Sequence, residues 1–218
     1  YVNRLIRLGY RTQLHPPPLS NGLLRELREV SDEWLTMVKG SEKRFSLGWF
    51  DDDYIRTSPV MAVHDPDGRV TAFANIVPEY RLNETTIDLM RRRRDAVPGT
   101  MDFLFVALFQ WAKTQGFATF NLGLSPLAGV GERSEDPPVE RALHYMYDHI
   151  NQFYDFKGLH EFKGKFHPQW APRYLIYPQP ADLLAVAIAI IRADAGTLPV
   201  RTLISDAARA ALRRRRAA

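Results

Sequence analysis

Val60-Met-Ala-Val-His-Asp-Pro-Asp-Gly-Arg-Val-Thr-Ala-Phe-Ala-Asn-Ile-Val77 reads as two strands, Val60 to His64 and Val70 to Val77, joined across the turn Asp65-Pro-Asp-Gly68. Working outward, Thr85 to Met90 is a third strand. A helix from Met101 to Thr114 is closed by Gly116, and a buried strand runs from Ala118 to Leu122. Gly123 to Pro138 is a long loop, Val139 to Asn151 a helix, and Arg173 to Tyr177 a strand. Towards the start, Leu23, Leu24, Leu27, Val30, Trp34, Leu35 and Val38 form an apolar stripe at helical spacing over Leu19 to Val38. Before it, Tyr1 to Gln13 is a short basic incoming element broken by His15-Pro-Pro-Pro18. Helices over Asp182 to Ala193 and Val200 to Arg216 finish the chain. This order predicts an α/β fold, a mixed central sheet flanked by helices with additional terminal helices, rather than a barrel or bundle.

The length of 218 residues suits one sizeable α/β domain, and 45% apolar content with four tryptophans excludes a disordered chain. With 29 basic and 25 acidic residues the net charge is only +4, which excludes a histone-like polycation. The basic charge is local, in Arg91–Arg94 and Arg213–Arg216, blocks that can meet phosphates or stand solvated. Zero cysteines exclude disulfides and a cysteine nucleophile. No secretory signal opens the chain, and its longest apolar run, Leu183 to Ile191, falls far short of the roughly 20 residues that span a bilayer. Peripheral membrane contact stays open, because Thr202 to Arg216 sets alanine and leucine beside arginines as an interfacial helix does.

Chemistry has three candidate locations. In Thr85-Thr-Ile-Asp-Leu-Met-Arg91, strand alternation turns Asp88 away from Ile87 and Leu89, and Arg91 follows at the strand end. The carboxylate and guanidinium could take an ammonium and a phosphate, or pair with each other. Asn121 and Ser125 flank a glycine-containing loop after a strand, where ligands commonly bind and where local caps are equally ordinary. Asp102, in the first turn of a helix, reads as a cap or dipole partner. No HExxH, P-loop, GxSxG or GxGxxG signature occurs, and no metal or organic cofactor is expected.

The run Tyr154 to Tyr174 interleaves Lys157, His160, Lys163, Lys165, His167 and Arg173 with Tyr154, Phe156, Phe162, Phe166, Trp170 and Tyr174. Cations beside aromatic surface suit an anionic, ring-bearing ligand such as a nucleic acid. The alternative is a helix that packs its aromatics inward and sends its lysines to solvent.

Several blocks together are recognisable. Phe45-Ser-Leu-Gly48, Phe73-Ala-Asn-Ile-Val-Pro78, Ile87-Asp-Leu-Met-Arg91, Met101-Asp-Phe-Leu-Phe105, Phe120-Asn-Leu-Gly-Leu-Ser-Pro126, Tyr154-Asp-Phe-Lys-Gly-Leu159 and Phe162-Lys-Gly-Lys-Phe-His-Pro-Gln-Trp-Ala-Pro-Arg-Tyr-Leu175 occur in order. Over Tyr1 to Tyr177 the chain resembles the catalytic domain of bacterial aminoacyl-phosphatidylglycerol synthases, the multiple peptide resistance factors. The resemblance implies the second of two acetyltransferase-like (GNAT) lobes, with residues 1–40 a linking segment and helix, 41–178 the catalytic lobe, and 179–218 C-terminal helices and basic tail. It implies a longer protein, with a preceding acetyltransferase-like lobe and an N-terminal transmembrane flippase domain, at the cytoplasmic face of the bacterial inner membrane. This chain itself would be soluble or peripheral.

The implied activity is transfer of lysine or alanine from aminoacyl-tRNA to the glycerol hydroxyl of phosphatidylglycerol, which lowers envelope charge and protects against cationic antimicrobial peptides. Partners implied are aminoacyl-tRNA, phosphatidylglycerol and the anionic membrane surface. By the resemblance, Asp88 serves the aminoacyl ammonium or the attacking hydroxyl, and Arg91 a phosphate. Lys163 and Lys165 serve the tRNA end or lipid phosphate and stabilise developing charge, with Arg173 assisting. Asn121 and Ser125 line the cleft. Direct attack without an acyl-enzyme is expected, because no activated nucleophile presents itself. The family often has a cation where Glu161 stands, and Gly164 loosens the same segment. Competing classes are a peptidoglycan-precursor aminoacyltransferase of the same fold and a non-catalytic lobe that binds tRNA or anionic membrane. A coenzyme A acyltransferase is disfavoured by the missing Q/RxxGxG/A loop.

Overall fold

A computed structural model of the chain describes residues 1–38, 48–80, 82–149, 156–179 and scattered positions from 182 to 193. Two compact units emerge, one of residues 1–40 with 50–170 and one of 41–49 with 171–218. In the first, α1 (Val2–Arg7), β1 (Arg11–His15), α2 (Asn21–Met37), α3 (Asp52–Arg56), β2 (Val60–His64), β3 (Val70–Glu79), β4 (Glu84–Arg92), α4 (Thr100–Thr114), β5 (Thr119–Asn121), α5 (Pro138–His149) and α6 (Phe156–Gly164) follow in order. The five strands form one sheet in sequence order, antiparallel from β1 to β4, with β5 parallel to β4. This is the mixed sheet that the pattern of elements predicts. The incoming basic segment resolves into α1 and an edge strand, β1, registered from Arg11↔His64 to His15↔Val60.

The β2–β3 turn forms where expected. Asp65 Oδ1 accepts from the amides of Asp67 at 3.1 Å and Arg69 at 2.9 Å, while Gly68 takes the positive φ of 87° that suits glycine. Helix α2 begins where Ser20 Oγ accepts from Leu23 N at 3.2 Å. Its stripe of Leu24, Leu27 and Val30 buries against Val60, Ala62, Val70, Phe73 and Leu89 on one face of the sheet. Phe103, Leu104 and Leu108 of α4, with Leu5 of α1, bury the other face against Met61, Val63, Ala72, Ala74 and Ile76. Strands covered on both faces are apolar throughout, which explains the unbroken run Val60-Met-Ala-Val63. Truncating Leu27 or Leu104, both fully buried, to Ala is expected to cost about 2–5 kcal/mol.

Strand β4 departs from simple alternation. Ala74 pairs with Met90 and Ile76 with Ile87, so Asp88 and Leu89 together face the single residue Asn75. Past this bulge the faces switch: Ile87 and Met90 both pack towards α4, whereas Leu89 packs towards α2. Asp88 therefore shares the face of Leu89, contrary to the alternation argument. Fully buried Asn75 fills the irregularity by accepting from Leu89 N through Oδ1 at 2.8 Å.

Arg91, Arg93 and Arg94 of the basic block contact α2, whereas Arg92 bonds to Arg93 O. Buried Arg93 donates through Nε to Val70 O at 2.8 Å and pairs with Glu29 at 3.2 Å and Glu33 at 3.4 Å. Arg94 N donates to Glu33 Oε1 at 2.7 Å. In the second unit, residues 171–177 form no strand. Pro172 and Pro178 bracket the segment and remove two ladder donors, and Tyr174, Leu175 and Ile176 are exposed. The described positions from 183 to 193 are helical, and the expected helix at Val200 to Arg216 lies outside the described residues. Among the described residues no helix is long and apolar enough to cross a membrane.

Candidate functional site

Parallel pairing between β4 and β5 is brief. It runs through Glu84↔Thr119, Thr85↔Phe120 and Thr86↔Asn121, and Thr86 Oγ1 closes it with a bond to Asn121 O at 2.8 Å. Beyond that point β4 continues through its bulge while the chain after β5 turns into a loop. Where two parallel strands part at their carboxyl ends, backbone groups are released and a cleft opens, the favoured ligand position of such sheets. Asp88 stands two residues past the parting on one lip, and Gly123 to Ser125 form the other.

Asp88 is held from behind. Tyr54 of α3 donates its hydroxyl to Asp88 Oδ2 at 2.8 Å, and Asn75 Nδ2 donates to the same Tyr54 oxygen at 3.0 Å. Burial and the adjacent carboxylate push the Tyr54 phenol up to about 12, so it stays a donor across physiological pH. Tyr54 reaches this point because Asp51 caps α3, its Oδ1 accepting from Asp53 N and Tyr54 N. Sequence reasoning missed both Tyr54 and Asn75. Asn75 carried a signal, an amide within the apolar run from Ala72 to Val77; Tyr54 carried none.

Arg91 lies on the same face as Asp88, since the bulge overrides the three-residue spacing that would separate them. It is buried against α2, donates to Ser31 Oγ, and stacks over Trp34 at 5.3 Å.

On the other lip, Asn121 organises the turn, accepting from Gly123 N at 2.8 Å and donating to Glu84 Oε1 at 3.0 Å. Lys163 of α6 points at this loop and donates to Leu124 O at 2.9 Å. It is 5% exposed, and burial pulls its ammonium down to about 8. A Cβ on Gly123 would sit 3.8 Å from Lys163 Nζ, so the loop passes close by the cation. Ser125 Oγ is buried with no hydrogen-bond partner among the described residues.

The aromatics of α6 answer the inward-packing reading: Phe162 and Phe166 join Phe105, Phe109 and Phe120 in one cluster, with rings 5.0–5.5 Å apart across α6 contacts. That cluster fixes α6 on α4 and β5, and so fixes Lys163. Lys165 pairs with Asp102 of α4 at 3.2 Å and lies 5.1 Å over the Phe162 ring, giving Asp102 a partner beyond its helix terminus. Arg173 belongs to the second unit, where it donates to Pro172 O at 3.3 Å. The structure thus brings Asn121, Ser125 and Lys163 together at one lip and Asp88 and Arg91 on one face of the other.

A part-buried carboxylate fixed by a phenol on β4 can hold an ammonium or hydroxyl, and a buried cation of lowered basicity beside the loop after β5 can stabilise an oxyanion. Comparison with known proteins gives this chemistry a context. Residues 1–177 match the family model described as phosphatidylglycerol lysyltransferase, C-terminal. The phosphatidylglycerol lysyltransferase of Bacillus subtilis is 40% identical over 190 residues, which is 87% of this chain and 22% of that protein. That of Staphylococcus xylosus is 32% identical over 88% of the chain and 22% of its own length. The chain therefore spans about a fifth of the length of the curated relatives it matches. Among solved structures, L-PGS from Bacillus licheniformis aligns with a TM-score of 0.74 at 40% identity, covering 88% of this chain and 57% of that one. The C-terminal domain of a putative lysylphosphatidylglycerol synthetase from Agrobacterium fabrum aligns at 0.75 and 38% identity, covering 90% and 58%.

Proposed function

The chain belongs to the phosphatidylglycerol lysyltransferase C-terminal family, and from that premise we propose that it is the second acetyltransferase-like lobe of a larger aminoacyltransferase. The reaction moves lysine, or alanine, from aminoacyl-tRNA to the glycerol hydroxyl of phosphatidylglycerol at the cytoplasmic face of the membrane. The observation that carries this reading is the family match over residues 1–177, which contains both lips of the cleft. A preceding lobe and a transmembrane flippase domain belong to the same proposal, in keeping with relatives several times longer than this chain.

In the proposed step the lipid hydroxyl oxygen attacks the ester carbonyl carbon. The bond from that carbon to the ribose oxygen breaks, and the hydroxyl proton ends on the departing ribose oxygen. Asp88, oriented by Tyr54, accepts a hydrogen bond from the attacking hydroxyl or from the aminoacyl ammonium. Lys163 supplies positive charge to the carbonyl oxygen as it becomes anionic, a role in which a buried cation is worth most. With its value near 8, Lys163 also exchanges a proton readily at neutral pH. Arg91 and Lys165 assist with phosphates only to the extent that substrate draws them from Ser31 and Asp102.

The test is transfer of radiolabelled lysine and alanine, each from its charged tRNA, to phosphatidylglycerol vesicles by the full-length protein. Labelled lipid is expected, with loss of at least 100-fold in Asp88→Asn. Charged tRNA and bound vesicles without labelled lipid would overturn the reading and direct attention to another acceptor.

A further inference from the structure

Outside the strand parting, the first turns of α2 and the short helix α3 enclose a cleft of about 240 Å3 lined by Asn21, Leu24, Arg25, Arg28, Asp52 and Arg56. Three guanidiniums meet one carboxylate there, so the cleft keeps an excess of positive charge. Two of the arginines are held in place. Arg56 donates through one nitrogen to Leu19 O at 3.2 Å and Asn21 Oδ1 at 2.8 Å. Arg28 pairs with Asp52 at 2.5 Å and lies 4.6 Å over the Phe50 ring. Arg25 is exposed, and no residue among those described neutralises it. The positive end of the α2 dipole opens into the same cleft at Asn21.

We propose that this cleft binds a backbone phosphate of RNA, as a docking point separate from the transfer site. Held guanidiniums lose little freedom when they take a phosphate, and each N–H fork matches two phosphate oxygens. RNA is favoured over lipid by the lining: its one apolar side chain, Leu24, is itself buried, whereas a membrane-binding face needs exposed apolar surface beside its cations. Neither the strand parting nor the Arg91–Arg94 block shares a residue with it. The inference rests on the reading that aminoacyl-tRNA is the donor.

Binding of uncharged tRNA to the full-length protein, followed by fluorescence anisotropy across a salt series, tests the proposal separately from transfer. Arg25→Ala removes no intramolecular bond seen among the described residues and is expected to weaken tRNA binding about 5- to 10-fold. The slope of log affinity against log salt should fall by about 1. Arg25→Ala combined with Arg56→Lys should weaken binding further, with a melting temperature checked alongside. In transfer assays the same variants should raise KM for charged tRNA and leave kcat unchanged. Unaltered tRNA affinity and salt slope would overturn the proposal while leaving lysyl transfer intact. Loss of vesicle binding with unaltered tRNA binding would overturn it in favour of a lipid site. Weakened tRNA binding in a protein that transfers no amino acid would sustain the docking site and refute the donor reading instead.

Discussion

Tyr54→Phe isolates one hydroxyl that stands between a strand bulge and the proposed catalytic carboxylate. That oxygen donates to Asp88 Oδ2 at 2.8 Å and accepts from Asn75 Nδ2 at 3.0 Å, so its removal breaks two bonds at once. A hydrogen bond to a charged group contributes about 1.5–3 kcal/mol, and each 1.4 kcal/mol is tenfold. If orientation of Asp88 matters only as the reacting groups meet, kcat/KM for lysyl transfer should fall roughly 10- to 150-fold. The Asn75 amide, left without its acceptor in a buried position, should cost about 1–3 kcal/mol of stability. Transfer is measured with the full-length protein at a temperature well below the melting point of the variant, so the two effects separate. A folded Tyr54→Phe protein within twofold of wild type, beside an inactive Asp88→Asn, would refute the positioning argument.

Other outcomes follow from single groups. Lys163 has a folded-state value near 8 against an ordinary 10.5, so the ammonium is lost above pH 8 and transfer should decline there. Lys163→Arg, which keeps its charge, should extend activity to higher pH even if its maximum is lower. The same depression means the native state binds fewer protons than the unfolded chain between pH 8 and 10.5, so this group adds stability as pH rises through that window. His15 is lowered by burial first and by His64 second, its ring nitrogen lying 3.2 Å from that of His64. Its contribution is fully present above the unfolded value of 6.5 and is lost as pH falls, so His15→Gln should narrow the difference in melting temperature between pH 7.5 and pH 5. Gly131 has φ of 69° and an added Cβ would meet Glu140 O at 2.1 Å, so Gly131→Ala should destabilise by more than about 1 kcal/mol in chemical unfolding.

Elements whose residues satisfy a local rule were legible. Helix α2 has a cap and an apolar stripe, and the β2–β3 turn has Asp65 and Gly68 where the geometry needs them. Edge strand β1 was not, because one partner and one covered face leave Arg11-Thr-Gln-Leu-His15 with a weak apolar signal. Arg173 to Tyr177 shows the opposite: residues that favour strands form none between two prolines. At the site, Asp88, Asn121 and Lys163 stood out as polar groups beside strand ends and basic runs. Their supports did not, since Tyr54 lies 34 residues from Asp88 and joins it only after α3 folds over the sheet. The aromatic-basic run was half misleading, for its phenylalanines belong to the interior and, of its cations, Lys163 is the one that reaches the loop of the cleft.

The extra residue in β4 also sets which sequence changes the strand can tolerate. Substitutions at 87–90 alter one side chain, but a one-residue deletion there, with pairing kept at Ile76↔Ile87, would advance everything after it by one place. Arg91 would inherit the position of Met90 and thrust a guanidinium among Leu104, Leu108 and Ala74, with no carboxylate of α2 in reach. The length of this strand is thus a spacing constraint in its own right: related sequences can drift in composition across it, yet an alignment gap inside it would mark a protein that folds its arginines, and its site, in some other way.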